Sequence, residues 1–375
     1  MTAQPAPTEG GWLPVDPGGI EKALQDLWRG RAKASQQAAP DDKPQGHTTL
    51  HSLVVYAPDA PTAALAQRVV AGISPHQPGR MIELVVQPEA QGQPDFQAAV
   101  RLNCEAPQND QAPVCCEQIR LTASGPAAAR RLPGAVLPLL VTDVPAFLYW
   151  TKGNPFRSPI LKDLVPAIDR LIVDSATFAA PDLDLTDTAA AMEDTRFQAI
   201  ISDLSWARLA AWRYQTAQIF DSANLRPYLK RITRARLSYY AGTPVLAWLF
   251  GGWLASRLGW KCVSRDVQGA RYFGGQMLQY EMLPAPEPGQ AGFFAGVTLT
   301  ADDGATFQVA RQGANFAATR LEVGDMKLER VVPLKVETHT EWLGHELGRL
   351  SRTPTYDAAL SQLVAAARTE EAYAG

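Results

Sequence analysis

Thr49-Leu-His-Ser-Leu-Val-Val-Tyr56, followed at once by Ala57-Pro58-Asp59, decides the reading of the first half of the chain. An apolar run of this length that stops at a Pro-Asp turn reads as a strand. Outward from it, Thr62–Ile73 has helical spacing and Met81–Val86 (MIELVV) is a second strand. Ala98–Asn103 and Val114–Thr122 alternate like a half-buried antiparallel pair. Ser124–Leu140 reads as a helix capped by Ser124 and split by Pro133 and Pro138. Ala146–Trp150 is a strand, Pro159–Leu164 a short helix and Asp169–Asp174 another strand. Strands alternating with helices predict a mostly parallel, helix-covered sheet, a Rossmann-like or flavodoxin-like α/β outline. The nucleotide fingerprint is missing from it. No G-x-G-x-x-G follows Tyr56, Val86 or Trp150, and the loops there read Ala-Pro-Asp, Gln-Pro-Glu and Thr-Lys-Gly-Asn-Pro. Proline supplies no amide hydrogen for a phosphate cradle.

Residues 175–188 (SATFAAPDLDLTDT) are acidic and turn-rich, and read as a solvated linker. The expected organisation is a flexible N-terminus with one short helix and linker at 1–46, an α/β domain at 47–178, and an α+β domain at 185–375. Ala189–Ile201 reads as helical, and the second domain is led by Asp203-Leu-Ser-Trp-Ala-Arg-Leu-Ala-Ala-Trp-Arg213. Residues 203–260 hold five of the nine tryptophans, so this is where the large apolar surfaces concentrate. Asp203 or Ser205 can cap the helix. Arg208 and Trp212 stand four apart, on one face of a continuous helix, with Arg213 on another. Trp and Arg together have the composition of binding hot spots. Arg208, Trp212 and Arg213 are therefore contact candidates, while Trp206 and Leu209 serve the core. Trp28 of the leading helix, and Arg234 and Arg236 of the basic strand within Leu225–Tyr240, complete the candidate set. Thr243–Leu258 is an apolar helix, too short to span a bilayer, which takes about 20 residues. Five alternating segments from Arg271 to Leu334 form an antiparallel sheet with flanking helices, and helices at Trp342–Leu350 and Thr355–Arg368 end the chain.

The formal net charge of −3 on 375 residues leaves no electrostatic footprint for nucleic acid or for an anionic membrane. Residues 1–19 are polar and carry no secretory pattern. Cys104, Cys115, Cys116 and Cys262 are too scattered for a disulfide framework or a zinc site, and read as small buried hydrophobes in a reducing, cytoplasmic setting. The five histidines lack H-E-x-x-H spacing, and no G-x-S-x-G elbow occurs. No metal, cofactor or catalytic constellation is expected.

Several segments, taken in order, resemble the glucose-6-phosphate dehydrogenase assembly protein family, OpcA. They are Leu53–Tyr56, Cys116–Leu121, Leu137–Pro145 with Phe147–Trp150, Asp169–Ala176, Asp203–Leu209 with Trp212-Arg213, and Gly252–Trp260. The resemblance implies a non-catalytic cytoplasmic protein that binds glucose-6-phosphate dehydrogenase and favours its active oligomer in the oxidative pentose phosphate pathway. It also implies a link to thioredoxin, for which these cysteines offer no obvious redox pair. The competing reading is a sugar-phosphate- or nucleotide-binding enzyme or sensor built on the α/β domain, using Lys152, Arg157 or the Arg226–Arg236 strand.

Overall fold

The computed structural model describes residues 11–36, 46–47, 49–74, 77–89, 94–105, 114–240, 244–266, 269–285, 294–334 and 337–374. The fold is mixed α/β and is built on two large sheets. Contacts divide the chain into two compact units. One holds Met1–Val173, Arg196–Ser202 and His339–Leu350; the other holds Asp174–Thr195, Asp203–Thr338 and Ser351–Gly375.

The first sheet uses β1 (Leu13–Val15), β2 (Gly46–His47), β3 (Ser52–Ala57), β4 (Arg80–Gln87), β5 (Phe96–Glu105), β6 (Val114–Ser124), β7 (Ala146–Trp150), β8 (Arg170–Val173) and β9 (Ile200–Asp203). Their order is β1-β5-β6-β4-β3-β7-β8-β9, with β2 paired to β6. The centre, β6-β4-β3-β7-β8, is parallel. β5 pairs antiparallel with β6, as its alternation predicts. Every residue of β3 is buried, which a strand covered on both faces requires. The helix Ala60–Ile73 buries Ala63, Ala66, Val69, Val70 and Ile73, one stripe of a 3.6-residue period. Glu83 of β4 is buried beside its register partner Arg120 of β6, with 2.9 Å between Nε and the carboxylate. Near the end of the chain, the helix His339–Leu347 returns to this unit. There the buried Arg170 guanidinium donates to Ser202 Oγ and to the Arg349 carbonyl, beside the Glu346 carboxylate.

The second sheet uses β10 (Ile232–Tyr239), β11 (Lys261–Asp266), β12 (Gly269–Phe273), β13 (Met277–Pro284), β14 (Phe294–Ala301), β15 (Thr306–Arg311), β16 (Phe316–Val323) and β17 (Met326–Pro333), in the order β11-β12-β13-β10-β14-β15-β16-β17. It is antiparallel except where β10 lies parallel to β13. The apolar helix Val245–Leu258 covers one face, with Phe250 stacked on Phe294 and Tyr280 Oη donating to the Ala247 carbonyl at 2.5 Å. The glycines that interrupt this helix are where its neighbours come closest. A Cβ on Gly251 would run into the Tyr280 ring, and one on Gly252 into the Ala359 carbonyl of the helix Pro354–Ala374.

Three expectations are corrected. Residues 175–188 are no linker: a 3-10 turn at Ser175–Thr177 leads into a helix at Pro181–Glu193 that buries Asp184, Leu185, Thr188 and Ala189. Its acidic N-terminal half is favoured there by the helix dipole. The helix expected over Ala189–Ile201 ends at Glu193, and Ile200–Asp203 is the edge strand β9. The cysteines are not all isolated hydrophobes, because Cys104 and Cys115 form a disulfide. They are register partners across β5 and β6. Cys116 does behave as a buried hydrophobe, with Sγ against the Ser74 carbonyl.

Gly252→Ala should lower stability by about 1–3 kcal/mol, the usual cost of overpacking. The check is the urea midpoint; an unchanged midpoint would mean the two helices are not held at this spacing.

Candidate partner-binding surface

Asp203 closes β9 and caps the helix Leu204–Arg208, accepting from the Ser205 amide at 2.9 Å. The same carboxylate accepts from the Ser175 amide at 3.1 Å, from Ser175 Oγ at 2.6 Å and from Tyr356 Oη at 3.4 Å. Burial pushes this carboxyl up to about 6; the Ser175 hydroxyl pulls it back and the neighbouring Asp174 charge adds to the rise. Burial, and then Asp203, hold the Tyr356 hydroxyl well above its ordinary value.

Arg208 answers the other carboxylate. Its guanidinium forks onto Asp174, with both N–H···O distances at 2.6 Å. The bidentate geometry suits a buried pair. Asp174 in turn accepts from Ser205 Oγ and the Ala176 amide.

Arg208 is taken up by Asp174, and the run 203–213 is not one continuous helix. The helix breaks at Leu209 (φ −83°, ψ −4°) and restarts as Ala210–Ile219. A break of this kind resets the helical register. Arg213 meets the Trp206 indole, with its guanidinium 3.6 Å from the ring centroid and a hydrogen bond to the Trp206 carbonyl, and Arg311 lies over the Trp212 ring at 5.3 Å. Trp212 is 3% exposed and sits edge-on to Phe294. As a free-standing contact residue Trp212 is therefore corrected: both tryptophans serve the core. The Asp203-x-Ser-x-x-Arg spacing is a folding device that caps a short helix and clamps it to Asp174.

What this element shows to solvent is its other side. Tyr214 is 61% exposed, with Ala210, Ala211 and Ala217 exposed around it. Sequence reasoning missed Tyr214, Asp174 and Tyr356. Tyr214 differed from its tryptophan neighbours only in the register that the Leu209 break sets.

Trp28 is half-buried in the first unit, where Nε1 donates to Glu117 at 2.8 Å. Glu117 also holds Arg80 at 2.6 Å, and Arg80 reaches Glu21 of the same N-terminal helix. Trp28 thus tethers the helix Ile20–Gln36 to the sheet. Arg234 and Arg236 lie on β10, 50% and 47% exposed, both directed at Glu281 (3.8 and 3.0 Å). The six candidates therefore lie on three elements: the N-terminal helix tethered by Trp28, the Asp203 element and β10.

The carboxyl ends of the parallel strands were the place to look for a nucleotide. After β3, the first-turn amide of Thr62 is taken by Asp59 Oδ1 at 2.7 Å, and the other Asp59 oxygen pairs with Lys152 at 3.1 Å. The Thr62 hydrogen bonds hold the Asp59 carboxyl below its ordinary value. A negatively charged cap at this helix terminus disfavours a phosphate there. Among the described residues no group of three or more His, Cys, Asp or Glu side chains is arranged to hold a metal ion. No helix among them is long and apolar enough to cross a membrane.

Comparison with known proteins matches residues 70–190 to the OpcA family's glucose-6-phosphate dehydrogenase subunit N-terminal domain, and residues 199–360 to its C-terminal domain. A protein of Nostoc punctiforme named as an OxPP cycle protein OpcA is 36% identical over 159 residues, 42% of this chain and 33% of that protein. One of the same name from Synechocystis is 26% identical over 338 residues, 84% of this chain and 68% of that protein. The match thus spans a third of the first relative and about two thirds of the second. Among solved structures, glucose-6-phosphate 1-dehydrogenase from Mycobacterium avium has a TM-score of 0.48 at 10% identity, covering 84% of this chain and 91% of that one. An oxidoreductase domain protein from Kribbella flavida has a TM-score of 0.47, also at 10% identity, covering 87% and 97%.

Two outcomes follow from the buried carboxylates. Arg208→Ala strands the Asp174 charge and should cost about 3–5 kcal/mol, as removing one partner of a buried pair does; retention of the wild-type melting temperature would refute the clamp. Asp203 has a folded value of about 6 against an ordinary 3.8, so the folded chain binds more protons than the unfolded chain between those limits. Stability should fall as pH rises through that interval. Asp203→Asn keeps the amide acceptor and should remove the fall, which urea titrations across the interval will show; parallel profiles for the two proteins would refute it.

Proposed function

Because the chain belongs to the OpcA family, we propose that it is a non-catalytic protein that binds glucose-6-phosphate dehydrogenase and favours that enzyme's active oligomeric state. The observation that carries the reading beyond the family name is the Asp59 carboxylate lodged on the first turn of the helix after β3, tied down by Lys152. A dinucleotide pyrophosphate needs that helix terminus open. Its occupation supports a scaffold that works through a protein partner, in the cytoplasm where this metabolic enzyme operates, over a sugar-phosphate or nucleotide enzyme.

The mechanism is a shift of populations. A partner that binds the active state 100-fold more tightly than the inactive one moves their balance by about 2.7 kcal/mol. By linkage, substrate held by the active state tightens the partner's grip by the same factor.

The Trp/Arg element offers the enzyme one outward surface, that of the helix Ala210–Ile219. An aromatic side chain as exposed as Tyr214, among small alanines, has the form of an interface anchor: large, stiff, and with a polar tip. Arg213 stands behind it, fixed over Trp206. In this reading Arg208, Trp212 and Trp206 hold the helix in place, and Tyr214 makes the contact.

The test is the activity and glucose-6-phosphate dependence of the dehydrogenase with and without this chain, together with co-purification. Complex formation and a gain in activity are expected; neither occurring would refute the assignment. Tyr214→Ala should keep the wild-type melting temperature and weaken the complex by at least about tenfold, the effect of losing 1.4 kcal/mol. Full activation by Tyr214→Ala would move the contact elsewhere.

A further inference from the structure

The second sheet has one face covered by the helix Val245–Leu258 and one face open. The open face carries two parallel rows of polar side chains running across six strands. The first row is Glu329, Arg320, Gln308, Thr298, Arg236 and Glu281, each the register partner of the next. Hydrogen bonds link much of it: Arg320 to Glu329 (3.0 Å) and to Gln308 (3.2 Å), Gln308 to Thr298 (3.1 Å), and Arg236 to Glu281 (3.0 Å). The second row, two residues along each strand, is Lys327, Glu322, Thr306, Thr300, Arg234 and Gln279. Residues two apart in a strand share a face, so both rows look outward.

From this arrangement we infer that the open face is a self-association surface, occupied by a second copy of this chain related by a two-fold axis. The axis runs parallel to the sheet, just above its open face, across the strands and midway between the rows. Such an operation lays each row on the other row of the same strands. Glu329 then meets the second copy's Lys327, and Arg320 meets its Glu322. Gln308 meets Thr306, Thr298 meets Thr300, and Glu281 meets Gln279. An isologous interface needs a surface complementary to itself under its own two-fold, and the order of charges across β16 and β17 has that property. The one like-charged juxtaposition, Arg236 with Arg234, has a Glu281 carboxylate beside it on each copy. Next to the rows, the same operation brings Met277, 51% exposed, onto Leu283, 41% exposed, an apolar pair at the end of β13. The area also fits. The six strands that the rows cross, about 4.8 Å apart and with six to eight residues each at about 3.3 Å, make a face of roughly 700 Å². A stable interface buries about 800 Å² on each partner.

The experiment is sedimentation equilibrium and light scattering on the full chain alone, over a wide concentration range and without the dehydrogenase. Its outcome is therefore independent of whether the dehydrogenase binds. The wild type is expected to be a dimer. Arg320→Glu places two acidic groups against each other twice in the interface, and Glu322→Arg does the same with basic groups; each should weaken the dimer by at least about tenfold. The combined Arg320→Glu/Glu322→Arg variant swaps the charges on both sides of every contact and should restore dimerisation. It does so while leaving Glu beside Glu329 within the chain, so recovery separates contact between copies from stability within one. Circular-dichroism melting of each variant confirms that it is folded. A monomeric wild type, single variants that dimerise like the wild type, or a combined variant that stays monomeric would each overturn the proposal; in the second case the dimer uses another surface. Binding of the dehydrogenase that competes with the Arg320 face while the free chain stays monomeric would overturn it in favour of a different occupant.

Discussion

Two carboxylates, Asp174 and Asp203, are buried side by side at the start of the second unit, and much of its local structure answers them. An isolated carboxylate away from water costs several kcal/mol, and two together cost more. Asp174 is neutralised by the Arg208 fork, and Asp203 is met by two backbone amides, a serine hydroxyl and a tyrosine hydroxyl. These partners come from the turn after β8, the helix after β9 and the C-terminal helix. Each segment is therefore fixed with respect to the others before any apolar contact is counted. The tryptophans then fill the shape so defined, Trp206 against Tyr356 and Trp212 against Phe294. An apolar replacement of the whole cluster would satisfy the hydrophobic term equally well. It would not specify which turn of which helix meets which strand end.

Much of the first sheet was legible in the sequence, because fully buried parallel strands appear as uninterrupted apolar runs such as Leu53–Tyr56 and Phe147–Trp150. Register was not legible, and the largest errors trace to it. Cys104 and Cys115 are far enough apart in sequence to look unrelated until β5 and β6 are aligned residue by residue. The Arg208–Trp212 pairing assumed one continuous helix, and the run is divided at Leu209 into two. The acidic run at 181–187 looked like solvated linker because charge at the start of a helix and charge in a loop share a composition. Only burial of Asp184 and Leu185 separates them. Of the candidate contact residues, Arg234 and Arg236 were read only as part of a basic strand, and β10 leaves both side chains about half-exposed.

The open face of the second sheet is unusual in being ordered without being covered. Its charged side chains are already paired along the rows, so little side-chain entropy remains to be lost when a second surface arrives. That favours association on a polar face, where exposed ion pairs by themselves contribute little. It also keeps the face soluble when nothing is bound, a useful property for a chain whose proposed role is to move between free and bound states.

The division of the chain into units carries a consequence for its inheritance. Residues 196–202 and 339–350 belong with the first unit, although long tracts of the second precede and separate them. The two stretches recognised by homology, 70–190 and 199–360, therefore do not coincide with the compact bodies. A fragment ending near 190 would leave Arg170 without Ser202 and Glu346, and the remainder would carry a helix whose docking partners had been removed. Inherited alone, neither stretch would carry every segment of either compact unit.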